Sequence, residues 1–328
     1  MEVKKEPNKS SEPTPTVPSW RKVRVSQGTV FDVLNRNFLS KPAAIPSFDG
    51  CASLLVGSDY SGESNEEPYV VYSFLFAGDK AWAAWGKKRL LLRQQIMPDD
   101  RRMSYKKLGD RYRREFLRPI LHAADELEGL SISLVISKAA PSLFPPAGPL
   151  DLTNPEFFLF RDWKREVLEK AFTVLHLTGF LLAGLGQKNQ NVFWFTDQDE
   201  IAANPGMLTA LTKAFAWISS GYLDFDLGHF RCGTTSCDNG NRQIEDFVSV
   251  PDLIAGALSE QFRSSSSLGA RADNVLWLTG AGMKDKAQTI LFWYATRQKQ
   301  LKKHVFVIDP TPDGKSHKVS WFNFTHES

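Results

Sequence analysis

Apolar and polar positions along this chain switch between two periods. Runs rich in β-branched and aromatic residues at 52–58, 69–76 ("YVVYSFLF"), 130–139 ("LSISLVISKA") and 191–197 ("NVFWFTD") predict strands. Residues 227–233 add a short strand, and 305–308 with 318–324 predict a terminal hairpin across "DPTPDGKS". Helical spacing predicts a short helix at 30–39. A longer one spans 104–127, where Leu108, Tyr112, Phe116, Ile120, Leu121 and Ala124 share a face and Tyr112 falls in the core. Pro119 kinks or divides that helix, and Gly129 ends it. Further helices are expected at 161–185, 208–218 and 285–302, and another opens at Pro251, "PDLIAGALSEQF", with the proline in the first helical position. Residues 140–160 and "RSSSSLGARAD" read as loops. Strands alternating with helices after an initial hairpin argue for an α/β fold with a mixed sheet.

Residues 1–20, rich in Pro, Ser, Lys and Glu, predict a disordered tail. Residues 21–262 form the main domain, and 263–328 a loop, helix and hairpin extension. At 42% hydrophobic and 23% charged, the 328-residue chain suits a globular protein able to bury a sizeable core. A net charge of +3 is too small to announce a polyanion partner, so any such signal must come from local clusters. Cys51, Cys232 and Cys237 make no disulfide framework and, lacking a matching Cys or His pair, no zinc site. The N-terminus has no apolar signal core, and the most apolar run, residues 174–186, falls short of the ~20 residues a bilayer requires. A cytoplasmic protein outside the membrane is the expectation. His176, inside that run, reads as a core histidine.

Carboxylates recur where elements end. Asp59 closes the first strand, Asp197, Asp199 and Glu200 follow a later one, and Glu245, Asp246 and Asp252 flank a helix start. Ligand sites of open α/β sheets collect at the carboxyl ends of strands, so Asp59 and Asp197 would meet if their strands were parallel neighbours. Asp252 would lie in the first turn of its helix, with Ala255, Gly256 and Ser259 on its face and Leu253, Ile254, Ala257 and Leu258 opposite. Gathered carboxylates repel unless a cation neutralises them, and Mg²⁺ or Mn²⁺ suits oxygen ligands. Such ions can activate a water in phosphodiester hydrolysis. Each carboxylate also has a plainer reading. Asp252 complements a helix dipole, Asp197 and Asp199 are turn residues, and Glu63, Glu66 and Glu67 form a solvated turn.

With these residues in view, the chain resembles the domain-of-unknown-function family 3800 (DUF3800). The resemblance rests on "SDYSGE" with Asp59, "FWFTD" with Asp197 and "VPDLIAGAL" with Asp252, and covers roughly residues 52–262. It implies a ribonuclease H-like mixed sheet flanked by helices and a nuclease-like activity. Asp59, Asp197 and Asp252 would be catalytic metal ligands, with Asp199, Glu245 or Asp246 completing the set. Where the family usually continues its first Asp with Glu, this chain has Tyr60.

A basic segment, "DDRRMSYKKLGDRYRREFLR", offers Arg101, Arg102, Lys106 and Lys107 as phosphate contacts for nucleic acid, DNA or RNA. Its plainer reading is a solvated face with intrahelical ion pairs. Residues 297–303, "RQKQLKK", read as a basic helix end. The expectation is thus a metal-dependent nuclease. The alternatives are a non-catalytic binding protein on the same fold, or a hydrolase of a small phosphorylated metabolite.

Overall fold

The computed structural model describes residues 19–143, 159–238, 240–266, 271–272, 275–276, 283–296 and 300–323. The chain forms α1 (Val30–Ser40), β1 (Ser53–Ser61), β2 (Tyr69–Gly78), α2 (Asp79–Ile96), α3 (Arg111–Ala124) and β3 (Gly129–Ser137). It continues through α4 (Arg165–Leu185), β4 (Asn191–Thr196), α5 (Pro205–Ser220), β5 (Phe230–Thr234) and α6 (Gln243–Ser266). A two-residue ladder, β6 (Arg271–Ala272) with β7 (Val275–Leu276), precedes α7 (Asp285–Ala295), β8 (Leu301–Pro310) and β9 (His317–Asn323). Seven strands form one mixed sheet in the order β5-β4-β1-β2-β3-β8-β9.

The first three strands make an antiparallel meander. On one side, β4 runs parallel to β1 and β5 parallel to β4. On the other, β8 runs parallel to β3 and β9 returns antiparallel. The C-terminal hairpin is therefore part of the main sheet rather than an appendage.

Helices α1, α4 and α5 cover one face of the sheet, and α2, α3, α6 and α7 the other. Strand β3 shows what two-sided cover asks of a sequence. It is buried at every position, with Ile132, Leu134 and Ile136 in one core and Ser131, Ser133 and Ser137 turned to the other face. The serines there are satisfied locally: Ser133 bonds Ser73 at 2.8 Å, and Ser131 bonds the Tyr294 hydroxyl at 3.2 Å. Helix α4 is long and apolar enough, by length and composition, to cross a membrane. It is a core helix here, with 72% of that stretch buried.

Several expectations are corrected. The pattern did not single out α2, because its inward face carries Arg89 and Arg93 while Leu90 and Leu91 face solvent. Residues 104–127 are not one helix. A 3-10 turn at Tyr105–Lys107 comes first, and Asp110 then caps α3 by accepting from the Arg113 amide at 3.1 Å. Tyr112 is 45% exposed, with the Arg101 guanidinium 5.0 Å from its ring.

Pro251 does not open a helix. It sits inside the 24-residue α6, so Asp252 is well past the first turn and gains nothing from the helix dipole. The helix starts instead where Asp238 accepts from the Ile244 and Glu245 amides at 2.7 and 3.0 Å. Helix α7 ends at Ala295, and Lys303, assigned to a basic helix end, is a fully buried residue of β8 paired with Asp125 at 2.9 Å. The excursion at 140–160 lies largely outside the described residues, while the serine-rich segment read as a loop begins inside α6, which runs to Ser266, and includes β6 at Arg271–Ala272.

Helix α6 lies close over β1, where a Cβ at Gly57 would come within 2.9 Å of the Phe247 ring. It binds α2 through Asp246, which is 0% exposed. Arg93 forks onto this carboxylate with bonds of 2.6 and 2.5 Å, and Arg89 adds one of 3.1 Å. Burial pushes the Asp246 pKa up while the guanidinium groups oppose it, and the two-pronged contact is that of the ionised acid. Asp246→Asn is expected to destabilise the fold by about 3–5 kcal/mol in urea unfolding, because two arginines are left buried against a neutral group. A loss below about 1 kcal/mol would show that this triad does not hold α2 to α6.

Candidate active site

Ser58 of β1 pairs with Thr196 of β4, and Thr196 with Thr234 of β5. The next residue on each strand path, Asp59, Asp197 and Thr235, therefore forms a row at the carboxyl ends of three adjacent parallel strands. The adjacency that the sequence reading had to assume for Asp59 and Asp197 is present. Asp59 falls within β1, opposite Ser73 of β2, rather than after the strand.

Helix α6 contributes the other wall. Glu245 and Asp252 are seven residues apart, two helical turns, and share a face with Gly256 and Ser259. Asp246 projects about 100° away and is consumed by the arginines of α2, so it is not brought to this site. The small-residue face does admit a close neighbour, although that neighbour is the 3-10 turn: a Cβ on Gly256 would overlap the Tyr105 ring. Tyr105 donates its amide to Asp252 at 2.7 Å and its hydroxyl to Glu260 at 2.7 Å, with Lys286 3.9 Å above its ring.

Two cations of the chain itself enter the cluster. Arg102 donates to Asp197 at 2.7 Å, to Thr235 at 2.9 Å, and pairs with Glu245 at 3.0 Å. Thr235 completes the triangle by donating to Asp197 at 2.8 Å. Lys170, on α4, reaches Asp199 at 2.6 Å, Glu200 at 3.3 Å and Glu63. Asp59 is the exception, with no hydrogen-bond or ion-pair partner among the described residues.

The pKa directions follow from this division. Burial alone would raise Asp197, but the Thr235 hydroxyl and the Arg102 guanidinium hold it below the ordinary value. Burial keeps Asp199 above its ordinary value although Lys170 opposes the rise. Burial also works against the charge of Lys170, and Asp199 and Glu63 outweigh it, so its pKa is raised. Asp252 is pushed up to about 6 by burial, with the Tyr105 amide opposing and Asp197 adding. Asp59 is pushed well above the carboxylate range by burial, then by Asp252, Asp197 and Asp199.

The basic segment divides. Arg101 pairs with Asp99 and with Asp110 at 2.6 Å, and Arg111 with Glu115 at 2.8 Å, as its plainer reading expects. Lys106 and Lys107 are exposed and make no ion pair among the described residues. Arg102 belongs to the site. Sequence reasoning missed Lys170, Thr235 and the engagement of Glu63. One signal was readable: Lys170 follows Val167 by three and precedes Val174 by four, on the buried stripe of α4.

Comparison with protein-family models, curated proteins and solved structures gives no match to this chain.

Asp59 and Asp252 bind a proton more tightly folded than unfolded. Between about pH 4, where the unfolded carboxyls ionise, and the raised folded values, the folded state holds more protons and stability falls as pH rises. In the absence of divalent cations, Asp59→Asn is expected to flatten that fall. It should also raise stability near pH 7.5 by about 1 kcal/mol or more. Urea midpoints of both proteins from about pH 4.5 to 7.5 measure this. An unchanged pH slope in the variant would show that neither burial nor the neighbouring acids raise the proton affinity of Asp59 in the folded state.

Proposed function

We propose that this chain hydrolyses nucleic-acid phosphodiesters with a divalent cation, on a ribonuclease H-like sheet related to the DUF3800 family. The fold side of the reading is supported by the β1–β2–β3 meander extended past β1 by parallel β4 and β5. Its carrying observation is Asp59, an unpartnered carboxylate in a wall of oxygen donors at the carboxyl ends of parallel strands.

The donors fit a hard cation in a restricted way. Among the described residues, no three His, Cys, Asp or Glu side chains are grouped so as to hold an ion by themselves. Mg²⁺ ordinarily needs only one or two carboxylates, with waters and substrate oxygens filling its shell. Asp59 and Asp252 answer that description, whereas Asp197, Asp199 and Glu245 are engaged by Arg102 and Lys170. Bound there, Mg²⁺ or Mn²⁺ would acidify a water and offset phosphate charge. The chain's own residues do the rest. The Tyr105 amide fixes Asp252, Arg102 and Thr235 orient Asp197, and Lys106 and Lys107 offer charge to a phosphate backbone beside the site.

A second reading is a binding protein on the same fold without catalysis. The Arg102–Glu245 and Lys170–Asp199 pairs favour it, because the chain supplies cations where a metal would otherwise be needed.

Titration with Mn²⁺ followed by its electron paramagnetic resonance signal separates the two. The hydrolase reading expects one bound ion, Mn²⁺-dependent cleavage of single- or double-stranded DNA or RNA, and loss of at least about 100-fold in both affinity and rate in Asp252→Asn. No bound ion at millimolar Mn²⁺ would leave the binding-protein reading.

A further inference from the structure

We infer that Arg102 is the second cation of this site, a guanidinium standing where a two-ion centre would hold its other metal, with its free donors directed to the substrate phosphate. The inference rests on the hydrolase reading above and deepens it.

Three observations carry it. First, the side chain lies between acids from different elements, Asp197 after β4 and Glu245 of α6, and also bonds Thr235 after β5. Together with Arg242, which holds the other Glu245 oxygen at 2.6 Å, it neutralises this half of the cluster. Asp59 and Asp252 are the site carboxylates that no basic side chain pairs with among the described residues.

Second, the backbone carrying Arg102 is built for the purpose. The Arg101 carbonyl accepts from Arg93 at 3.1 Å, and Arg93 is itself locked onto buried Asp246. The Arg102 carbonyl accepts from Arg113 at 2.7 Å. Met103, Tyr105 and Leu108 are buried just beyond, and the Tyr105 amide bonds Asp252. An arginine free to swing in solvent would need none of this support.

Third, the guanidinium is not used up. Its Nε and one terminal nitrogen make the contacts above. The other terminal nitrogen has no bond among the described residues, and the side chain remains 42% exposed. A planar fork with one prong in the carboxylates and one toward solvent can receive a phosphate oxygen without releasing Asp197.

The test compares the full-length protein with Arg102→Gln and Arg102→Lys, each confirmed folded by its thermal melt, using Mn²⁺ alone and a short single-stranded oligonucleotide. The wild type is expected to bind one Mn²⁺. Arg102→Gln frees Asp197 and one oxygen of Glu245, the other staying with Arg242, and should bind a second ion, or the first at least about tenfold more tightly, since the guanidinium between the two acids no longer competes. Its oligonucleotide affinity without metal should fall. Arg102→Lys keeps the charge and should keep the one-ion stoichiometry. One Mn²⁺ of equal affinity in wild type and Arg102→Gln would overturn the role of Arg102 while sparing the hydrolase reading. No Mn²⁺ in any of the three proteins would remove that reading and this inference together.

Discussion

The parallel pairing of β1 with β4 is the contact on which the site depends. It places the first strand of the meander beside a strand more than a hundred residues later, in a register that sets Asp59 next to Asp197. Shifting that register by one residue would turn Asp59 to the other face, into the aromatic core of Tyr60, Trp194 and Phe215. The register is held by burial on both faces, because β1 is apolar through its middle and packs against helices above and below. The acidic row at the strand ends is thus a by-product of a strongly specified hydrophobic pairing.

The protein treats its carboxylates in two ways, matching the fully buried ones and leaving half-buried Asp59 unmatched. Asp246 and Asp125 are each matched to basic side chains and tie together elements that also share an apolar core. Such pairs cost desolvation and return position, since breaking one leaves a charge with nowhere to go. Asp59 is left without a partner, on a strand whose own packing pays for it. It is this unmatched carboxylate that the proposed cation would match.

Much of this architecture was legible beforehand. The three strands of the meander, the strand before Asp197 and helices α1, α4 and α5 followed from periodicity and composition, while the pairing of β2 with β3 did not. The convergence of Asp59 with Asp197 needed only the parallel neighbourhood to be true, whereas Asp252, read as a helix start, comes from the middle of α6. What misled was local chemistry with two meanings. Pro251 has the residue type of a helix start and sits inside a helix. Asp246 has the residue type of a ligand and is a structural ion-pair partner. Tyr112 has core spacing and an exposed ring.

The sequence by itself determined which segments bury apolar surface, hence the α/β layering and the strands that must lie at its centre. It also determined which carboxylates stand near strand ends, because both are properties of residues close together along the chain. Only the tertiary structure decided which charges meet. Arg102 lies 95 residues from Asp197 and Lys170 lies 29 residues from Asp199. Ion pairing acts over a few ångströms of space with no period along the chain. No pattern of hydrophobic and polar positions could therefore say which acids would be neutralised and that Asp59 would be left alone.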